Sequence, residues 1–396
     1  MGIQIGYLDK ILEIYPITIY FMGMENICYL IKQIDLTNYR NYPMLRFVPS
    51  DGMNILLGAN GAGKTNLIEA ISILIPGRGL RMAGKEDFAK YDISAGQSWA
   101  VVAQIDDSQQ YVKLATGAPK EATRDVLVNG EKSRQSDLSR FFNCVWLTPN
   151  QDRLFVDGAS ARRRFLDRLV FGMDPAHAGR INAYEKSMRE RAKLLALGNS
   201  DAAWLDAIED NMVSKGIAIA AARFDVVSRL SKYTQARQGL FPQASLSLEG
   251  EVDEWLGELN AIDGEDRYRK ALKDNRQKDT MAAMTHIGPH RSDLMVFHSD
   301  KKLPAKLCST GEQKALLVSI ILADSRMQGA ERGIKPVLLL DEITAHLDPM
   351  RRQSLFDELE ALGVQAFLTG TEIALFDSMQ KRAKIWQVST GQISEY

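Results

Sequence analysis

The chain has 396 residues, 45% apolar and 25% charged, enough for about two or three domains with a sizeable core. Its 49 basic residues are matched by 50 acidic ones, for a formal charge of −1. That balance excludes a binder of the histone or protamine kind, but not one whose positive charge is segregated on one face. Cys28, Cys144 and Cys308 lie far apart with no CxxC pair, which argues against a disulfide framework or a Cys-rich zinc site. This usage suits a reducing cytoplasm, and no apolar run approaches the ~20 residues of a membrane span.

The N-terminus is apolar in places (Ile11 to Phe21), but Asp9, Lys10, Glu13 and Pro16 interrupt it, and without a basic n-region or an A-x-A site no signal peptide is expected. Met22 and Met24 offer alternative starts, so residues 1–23 are expected to be an N-terminal extension outside the fold. Ile31 to Tyr42 alternates like a strand and then breaks, and Met53–Leu57 predicts a strand entering a Gly-rich loop. A helical pattern, Leu67–Leu74, follows it. Residues 99–130 read as short strands with turns at Asp106-Asp107 and Asn129-Gly130. Helices are expected over Ser160–Phe171, Asn182–Leu197, Trp204–Gln238 and Glu265–Met284, with no sustained heptads. Strands Asp293–His298, Val337–Leu340 and Gln365–Thr369 alternate with helices from Ser309 and about Pro349. The expectation is an α/β head formed by both ends of the chain, 24–158 and 283–396, with an inserted mainly helical arm, 159–282.

Gly58-Ala59-Asn60-Gly61-Ala62-Gly63-Lys64-Thr65 fits G-x-x-x-x-G-K-[ST] without a mismatch, after a strand and before a helix. Glycines let backbone N–H groups converge on phosphates, Lys64 adds a point charge, Thr65 offers a hydroxyl to Mg²⁺, and the helix N-terminus favours the anion. This predicts nucleoside triphosphate binding. Val337-Leu-Leu-Leu-Asp341-Glu342 ends a buried strand in two carboxylates. Asp341 is expected to hold Mg²⁺ and Glu342 to orient or deprotonate water; a solvated acidic turn is the plainer alternative. Ser309-Thr-Gly311-Glu312-Gln313 is locally a capping box. With the D-loop Ala345-His346-Leu347-Asp348 it resembles the signature of ABC-type ATPases. That resemblance implies a head-to-tail dimer cemented by ATP.

About 245 residues separate Lys64 from Ser309, more than a transporter subunit needs, and no long coiled coil of the SMC kind fills the interval. Tyr39-Arg40-Asn41-Tyr42, Gly61 to Thr65 with Asn66-Leu-Ile-Glu69, Gly77-Arg78-Gly79, Arg162-Arg163-Arg164-Phe165-Leu166-Asp167 and Gly288-Pro-His290-Arg291 resemble the RecF family from about residue 29 onward. The resemblance implies an ATP-dependent DNA-binding dimer acting on gapped or junction DNA. It implies partnership with RecO and RecR, loading of RecA, and a part in the SOS response. Hydrolysis is expected to be slow, a timer rather than a motor. Carried onto this sequence, it assigns Arg40, Asn66, Ser309, Gly311, Gln313 and Asp348 to the nucleotide. Gln151 becomes the Q-loop residue near the metal, and Thr371 the γ-phosphate sensor. Departures are Pro149-Asn150-Gln151 where an acidic residue is common, Ser292 where an Asp is common, and Thr369-Gly-Thr371-Glu372 in place of a switch histidine.

Arg162, Arg163, Arg164 and Arg168 cluster at a helix start, ahead of Arg180, Lys186, Arg189, Arg191 and Lys193. Such a face could contact double-stranded or gapped DNA through phosphates. A solvated salt-bridged surface, partly paired with Asp167 and Asp174, is the alternative. Gly288–Arg291 either shapes the lobe or neighbours the nucleotide. Rival functions are another SMC-like ATPase (defence or nuclease-associated), a transporter ATPase subunit, and a scaffold that uses ATP only to dimerise.

Overall fold

The computed structural model describes residues 27–89, 98–106, 110–118, 124–198, 201–236 and 239–396. The expected extension 1–23 and the centre of the Asp106-Asp107 turn lie outside them. The described chain divides into two compact units. One comprises residues up to Arg153, Tyr233–Ala244 and His298–Tyr396; the other comprises Leu154–Lys232 and Ser245–Phe297.

The first unit opens with β1 (Ile27–Cys28), β2 (Leu30–Tyr39), β3 (Tyr42–Phe47) and β4 (Met53–Leu57), followed by helix α1 (Lys64–Ser72). β5 (Trp99–Asp106), β6 (Tyr111–Ala118), β7 (Asp125–Val128) and β8 (Glu131–Ser133) come next, then β9 (Cys144–Leu147). An antiparallel sheet runs β3-β2-β5-β6-β7-β8, built of hairpins. Asn129 and Gly130 both take positive φ, 51° and 88°, the backbone of the tight β7–β8 turn that the Asn-Gly pair predicts.

The second unit contains α2 (Ala159–Met173), α3 (His177–Ala196), most of α4 (Ala202–Gln235) and all but the first residue of β10 (Ala244–Glu249). It continues through α5 (Glu251–Glu258), α6 (Ala261–Asp274), α7 (Arg276–Ala282) and all but the last residue of β11 (Asp293–His298). The expected helix 265–284 is two helices meeting at Asn275. The unit is bounded by packing rather than by helix content. Tyr184 Oη donates to His290 Nδ1 (2.8 Å) while His290 Nε2 donates to the Thr285 carbonyl (2.9 Å), drawing 285–290 into the helical core. Gly288, at φ 145°, passes so close that a Cβ there would sit 2.2 Å from Tyr184 Oη. Gly288–Arg291 therefore shapes this lobe. Conversely, Tyr233–Ala244 belongs to the first unit, where Leu240 N–H donates to Ser354 Oγ (3.1 Å).

Back in the first unit follow β12 (Leu303–Pro304), α8 (Thr310–Arg332), β13 (Ile334–Lys335), β14 (Val337–Leu340), α9 (Pro349–Leu362), β15 (Ala366–Gly370), β16 (Ala383–Ser389) and β17 (Gln392–Glu395). The central sheet has the order β17-β16-β4-β15-β14-β9. Its β4, β15, β14 and β9 are parallel and buried at every position, which is why they read as mainly apolar runs, broken only by Asn54 in β4 and Thr369 in β15. Their registers place Leu57 opposite Gly370, and Leu340 opposite both Leu368 and Leu147. One carboxyl edge thus gathers Gly58, Gly370, Asp341 and Thr148.

Candidate nucleotide site

Gly58 leaves β4 at this edge, and its N–H meets the Gly370 carbonyl (3.3 Å). Gly61 and Gly63 turn the loop with φ of 81° and 115°, and Lys64 begins α1. The Lys64 ammonium, only 4% exposed, donates to the carbonyls of Gly58 (2.6 Å) and Ala59 (2.9 Å), so it is curled over the loop. Burial lowers its pKa, opposed by the nearby Glu342 and Asp341 carboxylates. Ala59 and Asn60 are exposed at the rim.

Asp341 Oδ1 accepts from Thr369 Oγ1 (2.7 Å) and from Thr65 Oγ1 (3.1 Å). The Thr369 hydroxyl in turn accepts from the Glu342 N–H (2.9 Å). Glu342 is held at φ 51°, a left-handed conformation that a glutamate adopts only under constraint. Burial raises the pKa of Asp341, offset in part by the two threonine hydroxyls. A hydroxyl and a carboxylate oxygen converging beside a Gly-rich anion loop suit a hard divalent cation such as Mg²⁺.

Behind the loop, Arg40 grips Glu69 through Nε and Nη2, both at 2.8 Å, and its guanidinium lies 5.5 Å from the Phe88 ring centre. Arg40 is thus a structural partner of a fully buried carboxylate on α1. Asn66 accepts from Arg81 (2.6 Å) and donates to Asn41 (2.7 Å), a supporting position of the same kind. Gln151 ends a short turn after β9, its side-chain oxygen accepting from the Thr148 N–H (3.0 Å). Next to it, Asp152 pairs with the buried Lys314 of α8 at 3.2 Å.

Ser309 caps α8, and the reciprocal Ser309–Glu312 capping box is formed, with Lys301 and then the Ser309 N–H holding Glu312 down to about 2. Ser309 is exposed and Gly311 faces open space, while Gln313 donates to the Cys308 carbonyl (2.9 Å) beneath them. Asp348 caps α9 by accepting from the Arg351 N–H (2.9 Å). Thr371 lies exposed past the end of β15. The contact with the acidic pair belongs to Thr369, because the β14–β15 register sets it beside Asp341. A lone hydroxyl in the apolar run Ala366-Phe-Leu-Thr-Gly370 was the signal for it.

In the helical unit, Arg162 is engaged internally by Asp293 (Nε and Nη2, both 2.7 Å) and by main-chain carbonyls that include Asp157, so most of its donors are already committed within the lobe. Arg163 is half-buried, donating to the Ser292 carbonyl (2.7 Å). Arg168 stacks on Phe165. Arg164 is exposed and has no partner among the described residues. Arg191 leaves the basic face altogether; it is fully buried between Glu209 (2.8 Å) and Asp279 (2.7 Å). Asp167 pairs with Arg223 and His177 rather than with the arginine run.

The family profile described as "RecF/RecN/SMC N terminal domain" matches residues 30–394. A DNA replication and repair protein RecF from Mesorhizobium japonicum is 47% identical over 369 residues, 92% of this chain and 97% of its own. The chain belongs to the RecF family. A RecF from Brucella suis is 45% identical over 371 residues, 92% of this chain and 96% of that one. Among solved structures, a recombination mediator RecF–ATPrS complex of the RecFOR pathway superposes with TM-score 0.83 at 22% identity, covering 94% of this chain and 100% of that one. An Smc head domain from Pyrococcus furiosus gives TM-score 0.53 at 16% identity over 93% and 96%. These likenesses show the fold, an SMC-like ABC ATPase head. Among the described residues no helix is long and apolar enough to cross a membrane.

Proposed function

We propose that this RecF-family chain is an ATP-dependent DNA-binding protein of replication and recombinational repair. The observation that carries this reading is the chain of contacts Thr65–Asp341–Thr369–Glu342 at the mouth of the phosphate loop. It joins one strand end to another at the edge where P-loop proteins bind nucleotide. Lys64, held now by two loop carbonyls, exchanges them for the β- and γ-phosphates. Thr65 and Asp341 would hold Mg²⁺, with Gln151 close by. When bound, that ion supplies charge neutralisation on the phosphates. Glu342, fixed through its own N–H, orients the attacking water.

Ser309, exposed at the N-terminus of α8, and Gly311, with open space around its Cα, are suited to close over a second copy's nucleotide together with Asp348 of the D-loop, giving an ATP-dependent homodimer. Gapped and double-stranded DNA are the substrates we assign, contacted through phosphates by Arg164 and Arg163. The partners are RecO and RecR, the outcome RecA loading and SOS induction, and the setting the cytoplasm. Hydrolysis is weak and DNA-dependent, serving as a timer.

DNA binding and dimerisation measured with and without ATP, in the wild type and in Lys64→Ala, test the proposal. ATP should promote both in the wild type alone. Binding indifferent to ATP and to the substitution overturns it.

A further inference from the structure

The hairpin turn between β2 and β3 presses against the back of the phosphate loop. Asn41 Nδ2 donates to the Ala62 carbonyl (3.1 Å), and Tyr42 Oη donates to the Gly63 carbonyl (3.0 Å). Asn41 is itself held by Asn66 Nδ2 on Oδ1 (2.7 Å), and Tyr42 is fully buried. The approach is tight. A Cβ on Gly63 would stand 2.4 Å from Asn41 Nδ2 and 2.9 Å from Tyr42 Oη, and one on Gly391 would stand 2.7 Å from the Asn41 carbonyl.

In a planar trans peptide the C=O and the following N–H point in opposite directions. Drawing the Ala62 carbonyl toward the hairpin therefore turns the Gly63 N–H toward the other face, and the Gly63 carbonyl, shared between Tyr42 Oη and the Leu67 N–H (3.0 Å), fixes the Lys64 N–H in the same sense. The Lys64 N–H is also one of the unsatisfied donors at the start of α1. We propose that Asn41 and Tyr42 are positioning residues for the nucleotide: two side chains from the antiparallel sheet that set the phosphate loop in its anion-binding form before nucleotide arrives. The inference rests on reading Gly58–Thr65 as the nucleoside triphosphate site.

The test is titration of the full chain with ADP and with Mg-ATP, for wild type, Tyr42→Phe, Asn41→Ala and the double variant. Ligand-free melting is recorded for each, and titrations are run well below every midpoint. Each single variant should bind both nucleotides about fivefold more weakly, the worth of one net hydrogen bond. The double variant should lose about tenfold or more. In steady-state assays KM for ATP should rise while kcat at saturation holds.

Affinities within twofold of wild type in the folded variants, even with lowered midpoints, would overturn the inference, because the residues would then be structural only. Wild type that binds neither nucleotide would strike the site reading itself. If Tyr42→Phe does not fold, Asn41→Ala, at a half-buried position, decides the matter alone.

Discussion

Replacing Thr369 by Val keeps the β-branched shape in a buried strand and deletes one hydroxyl. That hydroxyl donates to Asp341 Oδ1 at 2.7 Å and accepts the Glu342 N–H at 2.9 Å, so a single oxygen ties both carboxylate-bearing residues to β15. A hydrogen bond to a charged group is worth about 1.5–3 kcal/mol, and a backbone donor left without its partner costs about 1–3 kcal/mol. Relaxation and water recover part of this, so we expect a stability loss of about 2–4 kcal/mol, read as a shift in the urea midpoint at unchanged slope.

Function should suffer more than stability. Glu342 at φ 51° stores about 1–2 kcal/mol of backbone strain, which its anchored N–H helps to maintain. Released, the residue relaxes and its carboxylate swings off target. Asp341, its pKa already raised by burial, loses the closer of the two hydroxyls that counter it and moves further up. ATP turnover should fall at least tenfold while ATP affinity, set mainly by the loop, changes little. Thr369→Ser retains the oxygen and should retain turnover. A Thr369→Val protein with wild-type turnover, or a Ser variant as damaged as the Val variant, would refute this account.

Arg191→Leu should destabilise by about 3–5 kcal/mol in chemical denaturation, because two buried carboxylates, Glu209 and Asp279, lose a shared cation; a loss under about 1 kcal/mol would contradict the buried network. His290, lowered by burial from its ordinary 6.5 to about 4, is neutral in the folded state where the unfolded chain would take up a proton. Its contribution is intact above pH 6.5 and is lost as pH falls toward 4, by up to about 3 kcal/mol. The pH-dependence of stability in His290→Gln should be flatter in that window, and identical profiles would exclude the assignment. Arg164→Ala should weaken DNA binding and reduce the salt slope by about 1 without loss of stability. Arg162→Ala should do the reverse, lowering stability through the lost Asp293 pair; equal DNA defects at both positions would mean that the surface is drawn wrongly.

The phosphate loop and the acidic pair were legible because their chemistry is local. Glycine spacing, a lysine and a hydroxyl occupy consecutive positions, and an apolar strand that ends in Asp341-Glu342 advertises a buried parallel strand with a polar end. The capping box at Ser309 was legible for the same reason. Arginines were not, since sequence reports their charge but not their partner. Arg162, Arg164 and Arg191 look alike in a basic stretch, yet one is locked to Asp293, one meets solvent and one is wholly buried. Arg40, assigned to the nucleotide by resemblance, also grips Glu69, a partner that its place in the sequence does not announce.

Sequence by itself determined that this chain builds a Gly-rich loop between a strand and a helix, a buried strand ending in two carboxylates and a mainly helical stretch between them, since each follows from periodicity and short-range spacing. Only the tertiary structure decided which hydroxyl serves the acidic pair and which hairpin braces the loop. Those contacts join residues such as Thr65 and Asp341, or Asn41 and Ala62, that are distant in the chain. Strand register and the packing of sheets bring them together, and neither is written in any one segment.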